Sequence, residues 1–394
     1  MAVTIGVPRE TFPGERRVAL IPRACDALGK LGASVVVEQS AGVEAGFPDE
    51  QYALRGARSA SRRDVFQCDV ILQVRALGAN PDAGRADLPL FRSGQTVIGF
   101  GEPLTALDQD SELARAGVTF FAMELMPRIT RAQSMDALSS MATIAGYRAV
   151  LLAATALPKI FPMLMTAAGT VTPARVLILG AGVAGLQAIA TARRLGAVVS
   201  AYDVRSAVKE QIESLGAKFV VLDMDAGASE GKGGYAKAMS EEFYRKQREL
   251  LTNVIREQDV VISTAAVPGK KAPILITKEM ASALAPGSVI VDVAAERGGN
   301  CELTRPGETV VHQGIIVLGP LNLGSSAPFH ASQMYSSNIV SFLKLMLTKD
   351  GSLQLKRDDE IIRETLVTYN KEVVHERVAE LLGLMQAEGS GEAR

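Results

Sequence analysis

The segment Gly180-Ala181-Gly182-Val183-Ala184-Gly185 spaces three glycines as G-x-G-x-x-G, and a carboxylate, Asp203, follows Gly180 by 23 residues. These types at this spacing are suited to holding a dinucleotide. Gly180 permits a tight turn, Gly182 lets a pyrophosphate approach bare backbone, and Gly185 lets the following helix pack closely. The apolar run 176–179 before the turn reads as a strand buried on both faces. A helix over 184–195 offers its first N–H groups and its positive dipole end to phosphates. A second strand, 198–202, ends in Asp203, which can accept both hydroxyls of an adenosine ribose and repel a 2′-phosphate. Arg205 lies two residues beyond and could welcome a 2′-phosphate, so among these residues the preference for NAD(H) over NADP(H) rests on Asp203. The turn alone is a weak signal, and its weaker reading is a glycine-rich turn of an ordinary α/β domain. Strand, turn, helix, strand and acid in this order make a dinucleotide-binding βαβ unit.

A second group of polar residues lies in TFFAMELMPRITRAQSMDALSS, residues 119–140. The strand-like run 118–123 breaks at Pro127, and a helical pattern begins near Ala137. Arg128, Gln133, Asp136 and Ser139 therefore sit on a strand-to-helix connection. Arg128 offers a forked donor and Gln133 an amide; Asp136 can orient Arg128, and Ser139 adds a hydroxyl. Such groups suit the carboxamide and ribose of a nicotinamide, although none is an obvious general acid or base. A helix N-terminus capped by Ser134 and Asp136 would satisfy the same residues. The residues alone do not choose between the two.

The elements that must position these groups alternate between strand and helix. Strand signals occur at 3–7, 34–38, 70–74, 96–100 and 118–123, with a helical stretch at 22–31. A long helical run, 141–157, leads into the glycine turn, and strands follow at 218–222, 260–263, 289–293 and 315–318. Residues 325–347 read as a helix that crosses back. This alternation predicts an α/β chain of two parallel-sheet, Rossmann-like domains flanking a cleft. The nucleotide domain, 141–324, is inserted into a discontinuous domain of residues 1–140 and 325–394. Ligands of such sheets lie beyond the carboxyl ends of the strands, so the cleft is the expected site. The stretch 223–235, with four glycines among small polar and charged residues, reads either as a surface connection or as a hinged lid.

Composition narrows the class. At 394 residues the chain exceeds one core. A net charge of −1 supplies no basic field for nucleic acid or anionic lipid. Cys25, Cys68 and Cys301 are odd in number and scattered, which argues against a disulfide framework or a zinc cluster and for a reducing compartment. The opening MAVTIGVPRE has no signal-peptide apolar core. The uncharged run 176–192 contains three glycines and falls short of a bilayer span. The chain is expected to cross no membrane.

The blocks MELMPRI-x-RAQSMD-x-LSS, AGYRAV, GVAGLQAIATA, KEQ-x-ESLGAKF and GGYAK, with the opening IGVPRE-x-x-PGE-x-RVAL, carry a resemblance over nearly the whole chain. The chain resembles the NAD(H)-binding α subunits of proton-translocating NAD(P) transhydrogenases, in the alanine dehydrogenase/transhydrogenase family. RAQSMD is the specific block. Alanine dehydrogenases share the fold and the opening, but there an arginine, a lysine and a histidine hold pyruvate and move a proton. Here the arginine is Arg17, whereas the other two positions look like Arg75 and Glu102. Reductive amination needs a proton donor, and direct transfer between nicotinamides does not.

The resemblance supports the NAD(H) preference read from Asp203 and implies an NAD(H)-binding subunit exchanging hydride directly with NADP(H) on a partner β subunit. A separate membrane-spanning subunit would conduct protons, with this chain cytoplasmic, homodimeric and peripheral on the inner membrane. It implies that Gln133 orders the meeting of the two nicotinamides. Arg128 would hold the carboxamide, and Ser134, Met135, Asp136 and Ser139 would complete that pocket. Val183, Asp203, Val204, Arg205 and Ala266 would line the adenosine and pyrophosphate side, and Gly234 and Tyr235 would belong to the lid. Two other readings compete: an alanine dehydrogenase-like amino-acid dehydrogenase, and a non-catalytic NAD-sensing protein.

Overall fold

The computed structural model describes residues 2–222, 241–267, 269–348 and 351–384. It divides into two compact units, Met1–Met141 with Ser325–Arg394, and Ala142–Gly324. Strands are numbered along the chain.

The first unit holds β1 (Thr4–Val7), β2 (Ser34–Glu38), β3 (Arg58–Ala60), β4 (Val70–Arg75), β5 (Thr96–Phe100) and β6 (Thr119–Ala122). Its sheet runs β3-β2-β1-β4-β5-β6 with every pair parallel. Four of these strands are almost wholly buried and rich in Val, Ile and Phe, as a sheet covered on both faces requires. Ile5, Leu72, Val74 and Phe121 share one core with Tyr335 and Phe342 of the helix Pro328–Met346. Ile71, Val97 and Phe120 face a second core.

In the second unit an exposed hairpin, β7 (Leu164–Thr166) and β8 (Gly169–Val171), precedes the main sheet. That sheet contains β9 (Arg175–Leu179), β10 (Val198–Tyr202), β11 (Lys218–Phe219), β12 (Val260–Ser263), β13 (Val289–Asp292), β14 (Thr309–His312) and β15 (Ile315–Leu318). Its order is β11-β10-β9-β12-β13-β15-β14, and only the edge strand β14 is antiparallel. Setting aside the added edge strands, both sheets wind in the doubly wound order 3-2-1-4-5-6. Each has its switch point beside its first strand, between β1 and β4 and between β9 and β12.

The α/β class and the parallel sheets agree with the sequence reading. Several elements differ from it. The long helix begins at Ala137, where Asp136 caps it, and ends at Ala156. By length and composition this helix is apolar enough to cross a membrane. Its Ala149, Val150 and Ala153 are buried in the second unit's core. The strand expected over 218–222 closes after Phe219. Back in the first unit, β16 (Leu366–Tyr369) and β17 (Glu372–Val373) add two antiparallel strands beyond β6.

Candidate functional site

In the second unit the carboxyl ends of β9, β10 and β12 carry the glycine turn, Asp203 and the loop after Ser263. Gly180 has φ +95°, the left-handed turn its sequence predicts. At Gly185 a Cβ would stand 1.8 Å from the carbonyl oxygen of Gly180, so only glycine lets the helix Val183–Arg194 start this close to the turn. Gly182 differs: a Cβ there would meet nothing within 4 Å, and Gly182 and Val183 are exposed. The helix N-terminus therefore opens on space a phosphate can enter.

Asp203 is buried at 8 % exposure and does two things. Its Oδ2 accepts the N–H of Ala181 at 2.7 Å, fixing the glycine turn. It also pairs with Arg205, whose backbone N–H and Nε donate to Oδ1 at 2.9 Å and whose Nη2 donates to Oδ2 at 2.8 Å. These bonds occupy the carboxylate's four acceptor directions. The sequence alone suggested an acid open to ribose hydroxyls; the structure shows one held by its own neighbour. Val204 lies between them, partly buried.

The loop after β12 is exposed at Ala266 and anchored from behind by residues that the sequence reading missed. Thr264 Oγ1 donates to the carbonyl of Gly180 at 2.9 Å. Asn300, fully buried, accepts the N–H of Ala265 and donates to the carbonyls of Ala265 and Pro273, all between 2.8 and 3.1 Å. Asp292 holds Asn300 in turn, accepting the N–H groups of Asn300 and Cys301 and the hydroxyls of Thr304 and Ser263. Asn300 follows the strand Val289–Asp292 by eight residues, and nothing in the sequence names Ala265 as its partner.

In the first unit the segment after β6 brings its residues together differently from a simple pocket. Asp136 accepts the N–H and the hydroxyl of Ser139 at 2.9 and 2.6 Å, the bonds of a helix N-cap. Arg128, Gln133 and Ser134 are exposed, whereas Met135 is buried at 5 %. Gln133 thus stands outward on a turn whose neighbours are anchored inward.

At this unit's own switch point, residues following β1 and the last residue of β4 form a largely buried ionic cluster. Arg17 forks onto Glu15 at 2.7 and 2.6 Å, and Arg75 Nε reaches the same carboxylate at 3.1 Å. Burial would raise Glu15, but the Arg17 guanidinium overcomes this and holds it down to about 2. Glu10 accepts the N–H groups of Val74 and Arg75, yet burial, reinforced by Glu15, pushes it up to about 8. Phe12 lies 4.1 Å under the Arg75 guanidinium. Glu102 follows β5 in a left-handed conformation, φ +49°, with its N–H donated to Glu124. Burial, with Glu102 nearby, raises Glu124 to about 7.

Gly234 and Tyr235, with the rest of the expected lid at 223–235, lie outside the described residues.

Comparison with known proteins adds sequence and structural relatives. Residues 6–145 match the family profile described as "Alanine dehydrogenase/PNT, N-terminal domain", and residues 149–376 match its C-terminal counterpart. The chain is 46% identical over 375 residues to the first portion of the NAD(P) transhydrogenase α subunit of Rhodospirillum rubrum, covering 94% of this chain and 97% of that one. It is 28% identical to the alanine dehydrogenase of Bacillus subtilis, over 96% and 94% of the two chains. Among solved structures, a transhydrogenase from Sinorhizobium meliloti superposes with a TM-score of 0.82 at 43% identity, over 95% and 99% of the chains. An L-alanine dehydrogenase superposes with a TM-score of 0.80 at 26% identity, over 96% and 99%.

Proposed function

The chain belongs to the alanine dehydrogenase/PNT family, and on that premise we propose that it is the NAD(H)-binding subunit of a proton-translocating transhydrogenase. The observation that carries this choice within the family is the pair Arg75 and Glu102, at the positions that look like the lysine and histidine of alanine dehydrogenases. An arginine stays protonated at any working pH and cannot shuttle a proton. Both Arg17 and Arg75 are also engaged by Glu15, which leaves a substrate carboxylate to compete with the chain's own.

In this reading Gly180, Gly182, Val183 and Gly185 cradle the pyrophosphate, and Asp203, Val204, Arg205 and Ala266 hold the adenosine side. The open face of Gly182 supports the fit. Arg128, Gln133, Ser134, Met135, Asp136 and Ser139 order the nicotinamide and its ribose, and Gly234 and Tyr235 are assigned to closure. The bound nucleotide supplies the hydride; the chain contributes proximity and orientation, with nothing covalent. A β subunit binding NADP(H) and a membrane-spanning subunit are the assigned partners, with this chain peripheral on the cytoplasmic side. A second copy is assigned to the exposed hairpin 164–171, where Leu164, Met165 and Val171 face solvent.

The test is to mix the purified chain with an NADP(H)-binding partner subunit and follow hydride transfer from NADH to an NADP⁺ analogue. Transfer that needs both chains is expected. Turnover of NADH with pyruvate and ammonia by this chain alone would overturn the choice in favour of amino-acid dehydrogenation. Tight NADH binding with neither activity would leave a sensor.

A further inference from the structure

Gln133 is carried by a 3-10 turn, Thr130–Met135, a stretch too short to hold its own shape. It is held from outside by the first unit's C-terminal portion. Ala132 and Met135 are buried in the core on either side of the exposed Gln133. Arg131 forks onto Asp359 at 2.8 and 2.9 Å. On the other side Asn338, from the helix Pro328–Met346, donates Nδ2 to the carbonyl of Ser134 at 2.9 Å.

Asn338 is poorly explained by stability. It is 6 % exposed, and its Oδ1 is buried without a hydrogen-bond partner among the described residues. One neutral hydrogen bond does not outweigh the desolvation of an unpaired amide oxygen. A leucine has the same branched outline, though larger methyl ends, and brings no unpaired polar atom into the core. What a leucine cannot do is fix the Ser134 carbonyl, and with it the backbone direction from which Gln133 projects. Local rules broken in this way are the mark of a functional constraint.

We propose that Asn338 is a positioning residue for hydride transfer, acting through its hydrogen bond to Ser134 to aim the side chain of Gln133. This rests on the role proposed above for Gln133. The experiment compares native chain, Asn338→Leu and Gln133→Asn, each reconstituted with the NADP(H)-binding partner. NADH affinity and thermal midpoint are measured on the same preparations. Asn338→Leu is expected to keep its midpoint and to bind NADH within about twofold of native, while transfer falls at least about tenfold. If Gln133→Asn is slow but Asn338→Leu transfers at the native rate, this proposal is overturned and the reading of Gln133 stands. If Gln133→Asn also transfers normally, the reading of Gln133 itself fails. Parallel losses of midpoint, affinity and rate in Asn338→Leu would make Asn338 a packing residue and overturn the proposal. Should the leucine variant not fold, Asn338→Ser, too short to reach Ser134, is judged by the same split.

Discussion

Arg205 and Asp203, two residues apart at the end of β10, are joined by guanidinium–carboxylate hydrogen bonds of 2.8 and 2.9 Å. Ribose hydroxyls approaching Asp203 must therefore replace bonds that Arg205 already makes. In the proposed function, ribose binding would exchange donors around a carboxylate that keeps its hold on Ala181.

Asp203→Ala removes both the proposed ribose acceptor and the anchor of the glycine turn. NADH binding should weaken by about 1.5–3 kcal/mol, the range of a charge-assisted hydrogen bond. The preference over NADPH should narrow, because a repelling charge is lost. Isothermal titration of both nucleotides measures this, and native protein binding NADPH as tightly as NADH would refute the role of Asp203.

Asn300→Asp keeps the shape of the side chain but replaces the amide that donates to Ala265 and Pro273 with a carboxylate. Two carbonyls then face a negative charge in a buried site. The second unit should lose about 2 kcal/mol or more, read by denaturation without nucleotide. An unchanged midpoint would mean that the loop after β12 is not held by Asn300.

Gln133→Asn shortens the side chain by one methylene and retains its amide. NADH affinity should stay nearly native, while transfer in the reconstituted complex slows by around a hundredfold, the effect that a small misplacement can have. An interaction used only in the transition state gives this split. Equal losses of binding and rate would make Gln133 an ordinary nucleotide contact.

Glu10 predicts a pH dependence. Its carboxyl is raised from 4.5 to about 8 by burial and by Glu15, so the folded chain binds more protons than the unfolded chain across that window. Stability from this group therefore falls as pH rises from 4.5 to 8. Glu15, held at about 2, loses its contribution only on acidification below 4.5, outside the window. Glu10→Gln, neutral at every pH, should compare less favourably with the native chain at about pH 5 than at about pH 8 in urea denaturation. Parallel curves for native and variant would exclude Glu10 as the source.

The parallel strands were legible because strands buried on both faces are dominated by apolar runs, as at 70–72, 260–262 and 289–291. The strands without so clear a signal are short or lie at edges: β3, β7, β8, β14, β16 and β17. Their pairing is decided by what lies beside them. The chemistry divides similarly. The glycine turn announces itself because its demands are local. The capture of Asp203 by Arg205 depends on rotamers, and Asn300 and Asn338 act on backbone 35 and 204 residues away. The 128–139 segment admitted both a site and a cap, and Asp136 with Ser139 forms the cap.

The first unit's core includes Tyr335 and Phe342, and its sheet is extended by residues 366–373, all encoded after the whole second unit. During synthesis the second unit's sheet is therefore complete while β6 is still an open edge and the core beneath it lacks its covering helix. The amino-terminal strands emerge first and are finished last. A stop codon anywhere between the glycine-turn sheet and the helix Pro328–Met346 would spare every strand of that sheet while stranding an unclosed hydrophobic surface at the other end of the message. Nascent-chain quality control would meet this protein at its beginning, long after that beginning was made.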